Sequence, residues 1–485
     1  MRNSRTLWAG WLAIASSFAL LAVWTGWAQE VKPVIAVTID PGKRFQEIDG
    51  FGVNFNGPYF RDSAKPMVDM LIDDLGATIF RLDAYGFDLS NWEVVNDNDD
   101  PAVMNWDFYS DRYSMPNFEA SWAAGRYINS KGGRVLLAAI GIAPEWMLDD
   151  KAPPPRHRVC SNKPKPCKPD HLNPAMYEEY AEQLVSMAIY ARTRARVDFQ
   201  FFSPFNETDC YPAEGPRIDP EEMPRVLGTI ARRLNKESLG DVRLVVVEQA
   251  NVTTDYISAV LQDAEVMRQI GVFSFHTYGE ESVGPQVERV GRSNYPDRRV
   301  WLTEYGDLSD RDKSFESEWK QQSLKASRRA LRALNQGASA ALFWDAFDNF
   351  ENCELRPSFY GLMRNDNHSY SPKKRYFAAK QLYHFVHPGS VRVSADTDSP
   401  QLVLSAFWDG SAGTLVIVGV KDGGASNVQI RMPESKLTPV SWDVYQTTKT
   451  LDCRKTGRVA AVNGKADLEL PDEVIFTLVG AVDKP

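Results

Sequence analysis

The chain reads as an α/β protein, a (β/α)8 TIM barrel with a C-terminal β-sandwich side domain that also takes an N-terminal strand. Three observations predict this. Eight short runs rich in β-branched and aromatic residues lie between positions 50 and 347, with amphipathic stretches between them. No Gly-rich phosphate loop of the form GxGxxG or GxxxxGKS/T follows an early strand, as a doubly wound open sheet would more often carry. After about residue 388 the helical period vanishes, and short strands succeed one another between Gly, Asp, Ser and Pro.

Composition narrows the functional classes. Of 485 residues, 43% are apolar and 25% charged, which is ordinary globular usage and not that of a disordered, collagenous or polytopic membrane chain. The net charge of −9 disfavours nucleic acid as a partner, because phosphate neutralisation calls for basic residues. The 24 Phe, 18 Tyr and 13 Trp are abundant enough to supply both a core and a groove that stacks on sugars.

Taken in order, residues 1–28 have the layout of a secretory signal peptide: Arg2 and Arg5, an apolar run from Leu7 to about Trp24, then Gly26-Trp27-Ala28 before Gln29. Cleavage there predicts a secreted or periplasmic protein with no stable membrane association; a retained N-terminal anchor is the alternative. Residues 29–45 contain the alternating run "PVIAVTID", a strand expected to join the β-sandwich. The barrel is assigned to 46–386. Its strand candidates are 50–56, 77–85, 134–141, 197–207, 242–249, 272–279, 299–306 and 338–347.

Three helices between them are well marked. In 173–194, Tyr177, Tyr180, Ala181, Leu184, Val185 and Ala188 form an apolar stripe opposite Glu178, Glu179 and Glu182, which are expected to face solvent. A second helix spans 317–337 and ends at the C-cap glycine Gly337. A third opens at Asp219-Pro220, a cap followed by proline. The β-sandwich is assigned to 387–485. An exported chain makes Cys160, Cys167, Cys210, Cys353 and Cys453 candidates for disulfides, and the odd number leaves at least one unpaired within the chain. A local Cys160–Cys167 bridge is the first expectation, with either one pairing to Cys210 as the alternative.

In barrels of this kind the chemistry sits at the C-terminal strand ends. Those ends carry Arg81 and Asp83; Pro144, Glu145 and Trp146; Asn206 and Glu207; Glu248 and Gln249; His276 and Tyr278; Glu304 and Tyr305; and Trp344 and Asp345. Carboxylates and aromatics dominate, without an obvious Ser or Cys nucleophile. The fourth and seventh strands of an eight-stranded ring lie nearly opposite, so Glu207 and Glu304 face each other across the mouth. Two carboxyls across a cleft is the arrangement for glycosidic bond hydrolysis: about 5–5.5 Å apart for a retaining enzyme and about 6.5–9.5 Å for an inverting one. No His/Asp cluster at metal-ligand spacing occupies the strand ends, so no metal and no cofactor is expected. Arg81, His276, Tyr278, Trp344 and Trp146 are candidate sugar-binding or orienting residues, each with a bland alternative as an ion-pair or packing group. Arg356 is a further candidate, more simply read as a surface charge. Glu248 reads best as a structural buried acid. Asn206-Glu207-Thr208 also fits a glycosylation sequon, poorly accessible at a barrel mouth.

Several motifs resemble a clan A glycoside hydrolase, most closely family 30. They are "FQEIDGFGVNFNG" at the first strand, "PEWM" after the third, "FFSPFNE" at the fourth, "HTYG" at the sixth, "WLTEYG" at the seventh, and "YHFVHPGSVRVSA" at the crossing into the side domain. The resemblance implies a retaining enzyme in which Glu207 is the acid/base, Glu304 the nucleophile, and Asn206 a partner of the sugar 2-hydroxyl. The implied partner is a β-linked carbohydrate, acted on by a monomer. Residues 149–173, 55–60 and 348–363 depart from the family's pattern and leave the substrate open. A catalytically silent carbohydrate-binding protein on the same scaffold is the alternative function, and a metal-dependent barrel hydrolase is a third.

Overall fold

The computed structural model describes residues 33–84, 93–149, 171–209, 215–308, 318–348, 359–366, 369–433 and 435–482. The leader, Cys160, Cys167, Cys210, Cys353 and Arg356 lie outside these residues. After β1 (Val34–Glu47), eight parallel strands close into a barrel in chain order. They are β2 (Gly50–Asn56), β3 (Ile79–Asp83), β4 (Arg134–Ala138), β5 (Phe199–Ser203), β6 (Arg243–Gln249), β7 (Ile270–Thr277), β8 (Arg299–Tyr305) and β9 (Ala340–Phe343). β9 pairs back to β2. Every strand falls within one of the eight runs read from the sequence except β7, which begins two residues earlier.

Inward residues divide the barrel into two storeys. Ile79, Leu136, Val245, Val272, Trp301, Ala340 and Leu342 form one apolar cluster that fills the lower half. Each large side chain fully buried there contributes about 1.5–3 kcal/mol. The upper half is polar. On β3 simple alternation carries Arg81 and Asp83 inward above Ile79. On β6 and β8 the alternation is broken by register shifts between Val246 and Gln249 and between Leu302 and Tyr305. The extra residue of such a bulge turns consecutive side chains to the same side, and Thr303 and Glu304 both reach the polar storey (Thr303 through its bond to Glu248).

The barrel helices include α1 (Pro116–Ser130), α2 (Tyr177–Thr193), α3 (Met223–Lys236), α4 (Ala326–Asn335) and α5 (Lys374–Tyr383). A π-helical stretch, Glu318–Lys325, leads into α4, and Gly337 follows it at φ 109°. Only glycine adopts that left-handed conformation without cost, which is why the helix stops there. Two expectations are corrected. The helix expected from Asp219 begins at Met223, with Pro224 in its first turn. Asp219 is drawn away from capping by Arg217, whose Nε and Nη2 donate to its Oδ1 at 2.9 and 2.7 Å. On α2, Glu178 does face solvent, but Glu179 and Glu182 are 8% and 0% exposed. A polar face was legible; that α3 and the segment after β3 cover it was not.

The side domain is a nine-stranded sheet that encloses a second core. Its strands are β1, β12 (Val391–Thr397), β13 (Leu402–Asp409), β14 (Thr414–Lys421), β15 (Ser426–Arg431), β16 (Ser441–Thr447), β17 (Arg454–Ala460), β18 (Lys465–Leu470) and β19 (Val474–Ala481). The hydrogen-bonded order is β17-β16-β19-β14-β13-β12-β1-β15-β18. The N-terminal strand β1 therefore sits inside the sheet, antiparallel to β12 and parallel to β15. A short hairpin, β10 (Met363–Asn365) and β11 (Tyr370–Pro372), links β9 to α5. Hydrogen bonds fasten the side domain to the barrel: Gln381 of α5 donates to Thr447 Oγ1 at 2.9 Å in a buried contact, and Asn335 donates to the Leu404 carbonyl at 2.9 Å in a half-buried one.

Candidate active site

At the C-terminal mouth, Arg81 is wholly buried and is the hub. Its Nη1 donates to Glu304 Oε1 at 3.0 Å, Asn54 Oδ1 at 3.0 Å and Asp83 Oδ1 at 3.1 Å. Its Nη2 donates to Asn206 Oδ1 at 2.7 Å, and its Nε to Glu248 Oε1 at 3.1 Å. Three carboxylates around one guanidinium keep it charged, outweighing the desolvation that acts against the charge.

His276 is the second hub. Its Nδ1 lies 2.8 Å from Glu207 Oε1 and 3.5 Å from Glu304 Oε2, and its Nε2 lies 3.2 Å from Glu248 Oε2. Burial opposes a charged imidazole, but the Glu304 charge and the bonds to Glu207 and Glu248 outweigh it and hold the ring well above the ordinary histidine range. These surroundings favour the charged ring, which in that form donates from both nitrogens. Tyr278 donates its hydroxyl to Glu304 Oε2.

Glu207, His276 and Glu304 each bring one ligand-type atom within 4.8 Å of the others. The nearest carboxylate oxygens of Glu207 and Glu304 are therefore no farther apart than that. Burial pushes the Glu304 carboxyl up to about 8, and the Glu207 charge adds to this against His276, Arg81 and Tyr278. Two carboxylates so close do not both ionise readily, so the pair titrates as a unit and holds one proton near neutral pH.

The fold brings six of the sequence-predicted residues into one network: Glu207, Glu304, Asn206, Arg81, His276 and Tyr278. Trp344 lies half-buried just after β9, and Trp146 donates its Nε1 to the Glu93 carbonyl at 3.0 Å. The floor beneath was only partly legible. Glu248 is fully buried between the hubs, held by Ser203 Oγ at 2.8 Å and by Thr303 Oγ1. Burial acts to raise its carboxyl, but Arg81, His276 and Thr303 prevail and hold it down to about 2. Asn54, Ser203, Ser274 and Thr303 support this floor, and small polar residues inside strands carry no distinctive sequence signal.

This architecture can be set beside solved structures. A family 30 endoxylanase from Clostridium papyrosolvens C71 superposes with a TM-score of 0.69 at 21% identity, covering 92% of this chain and 100% of its own. The catalytic domain of a family 30 xylanase C from Talaromyces cellulolyticus gives 0.67 at 18%, covering 92% and 100%. This chain has the fold of the family 30 glycoside hydrolases. That family 30 fold is also approached by a family 44 xyloglucanase from Paenibacillus polymyxa, at a TM-score of 0.57 and 12% identity, covering 93% and 100%. At these identities the likeness is one of fold. No protein-family model matches the chain, and no curated protein matches it.

Proposed function

We propose that the chain is an exported, retaining β-glycoside hydrolase that cleaves a β-linked poly- or oligosaccharide by double displacement. The observation that carries this reading is the pair: Glu207 and Glu304 approach within 4.8 Å at the barrel mouth. That spacing is on the side of the short gap of a retaining site and below the wider one at which an inverting enzyme places a water between its carboxyls.

In this reading the single proton of the pair sits on Glu207 when substrate binds. Glu304, held by Arg81 and Tyr278, attacks the anomeric carbon. The glycosidic C–O bond breaks as Glu207 gives its proton to the leaving oxygen, and a glycosyl ester forms on Glu304. Glu207, now a base, takes a proton from water whose oxygen attacks the same carbon and frees Glu304. The exposures support these roles: the Glu207 side chain is 19% exposed, as a group serving both leaving alcohol and water must be, and that of Glu304 is 6%. Asn206, oriented by Arg81, would meet the sugar 2-hydroxyl, and Trp344 and Trp146 would be stacking surfaces. Export rests on the leader; among the described residues no helix is long and apolar enough to cross a membrane.

The test is turnover on a panel of β-linked polysaccharides and aryl β-glycosides. Glu207→Ala should cost about 10²–10⁴-fold, the usual worth of general acid–base catalysis, and Glu304→Ala at least as much. Azide should restore turnover to Glu304→Ala and yield an α-configured glycosyl azide. Unchanged activity in either variant, or a wild-type product of inverted configuration, refutes the proposal.

A further inference from the structure

The backbone beneath the Glu207 carboxyl is strained and held in place. Glu207 stands at φ 46° and Glu248 at φ 53°, in the left-handed region that a residue with a Cβ enters only at a steric cost. The two are tied in series. Glu207 donates its backbone N–H to the Glu248 carbonyl at 2.8 Å, and Glu248 donates its own to Ser274 Oγ at 3.0 Å. The reason lies in the register. Val246 pairs with Phe273 and Gln249 with Phe275, so three steps along β6 face two along β7. The bulge takes the Glu248 N–H out of the strand ladder, and a buried N–H needs an acceptor. Ser274, fully buried between Phe273 and Phe275, supplies one from its side chain.

A second tie lies just beyond. Two residues after Glu207, Asp209 turns its carboxylate to the segment after β6. Its Oδ1 accepts from the Ala250 N–H at 2.9 Å and its Oδ2 from the Asn251 N–H at 2.7 Å. The loop after β5 is therefore fixed to the end of β6 at two points, at Glu207 itself and at Asp209. The Glu207 carboxyl is held separately, 2.8 Å from His276 Nδ1. Ser274 and Asp209 reach backbone amides, so they act on Glu207 through the peptide frame that carries it. Relaxation toward an ordinary right-handed or extended backbone is downhill for such a residue. Loss of a tie thus lets Glu207 move, whereas an unstrained residue would stay where it was.

We propose that Ser274 and Asp209 are positioning residues for the acid/base: they fix the strained backbone of Glu207 and so aim its proton at the glycosidic oxygen. The inference rests on the glycosidase reading and deepens it. A misplacement of about 1 Å in a reacting group costs up to about 10²-fold in rate. For a proton donor that loss appears only where the leaving group needs the proton.

The test is kcat/KM of the full mature chain on two aryl β-glycosides of one sugar that the wild type hydrolyses. A 2,4-dinitrophenyl group leaves unaided, and a phenyl group leaves with a proton from Glu207. Because kcat/KM reports only the steps up to the glycosyl ester, base catalysis of its breakdown does not enter. Ser274→Ala and Asp209→Ala should each lose about 10–10²-fold on the phenyl glycoside and less than about 3-fold on the dinitrophenyl one. Asp209→Asn, which restores one acceptor, should recover part of the loss. A merely structural role lowers the folded fraction and so affects both substrates alike. Each variant judges its own residue: equal losses on the two substrates, or none, overturn the assignment. Asp209 is half-buried, so its variants decide the matter even where Ser274→Ala does not fold. Glu207→Ala is the reference and should show the same bias more strongly. Bias in Glu207→Ala and in neither of the others sinks this inference alone, whereas no bias in Glu207→Ala sinks the acid/base reading and this inference with it.

Discussion

At the scale of single residues, Glu248 decides how the proposed site titrates. It lies beneath both cationic hubs, bonded to Arg81 and His276 and not itself one of the pair. Glu304 is held up to about 8, so loss of the pair's last proton should form the alkaline limb of kcat/KM near pH 8. Glu248→Gln deletes an anion, which leaves Arg81 and His276 more strongly positive and makes Glu304 easier to ionise. The limb should move to lower pH. A merely structural role would lower stability without moving it, so the pH profile is the discriminating measurement. Stability should fall as well, by about 3–5 kcal/mol, because the variant breaks a buried ion network. The sign of the wild-type contribution follows from its depressed pKa of about 2: Glu248 is stabilising above the ordinary carboxylate range, and that contribution is lost as pH falls from about 4.5 through 2.

At the scale of elements, the barrel strands were legible because β-branched and aromatic runs between turn residues have few other uses. The pair was legible because strand position alone puts Glu207 and Glu304 on opposite rims. What resisted reading depends on partners distant in sequence. Glu179 and Glu182 look like a solvent face until the segment after β3 is laid over them. Asp219 looks like a cap until Arg217 claims its carboxylate. Gly52 shows the same limit in packing. A Cβ added there would stand 1.8 Å from the Ile79 carbonyl oxygen across the β2–β3 ladder. No flexible side chain can yield, so Gly52→Ala should part the two strands and cost at least about 1–3 kcal/mol. A fall in the denaturant midpoint would register it, and an unchanged midpoint would show that the ladder tolerates the methyl.

At the scale of the whole molecule, the β domain braces the barrel through α4 and α5. Gln381, fully buried, donates to Thr447 of β16, and Thr477 of β19 donates to the Gln381 side-chain oxygen at 2.6 Å. Gln381→Ala should lower Tm while leaving kcat/KM per folded molecule unchanged, since the contact lies on the outer side of the barrel wall. Cys453, the one cysteine among the described residues, is a free thiol, and burial pushes it up to about 12. It should resist a thiol reagent at neutral pH until the domain unfolds. Rapid modification under native conditions would show that β17 and its neighbours open locally.

The placement of β1 has a consequence for how the chain comes into being. Its hydrogen-bonding neighbours, β12 and β15, are supplied by residues 391–397 and 426–431, so the first strand to emerge waits for nearly the last. Until then both its edges are bare, and no stable side domain can form around it. A polypeptide wired in this way stays uncommitted through most of its synthesis, and settles only once its tail has arrived.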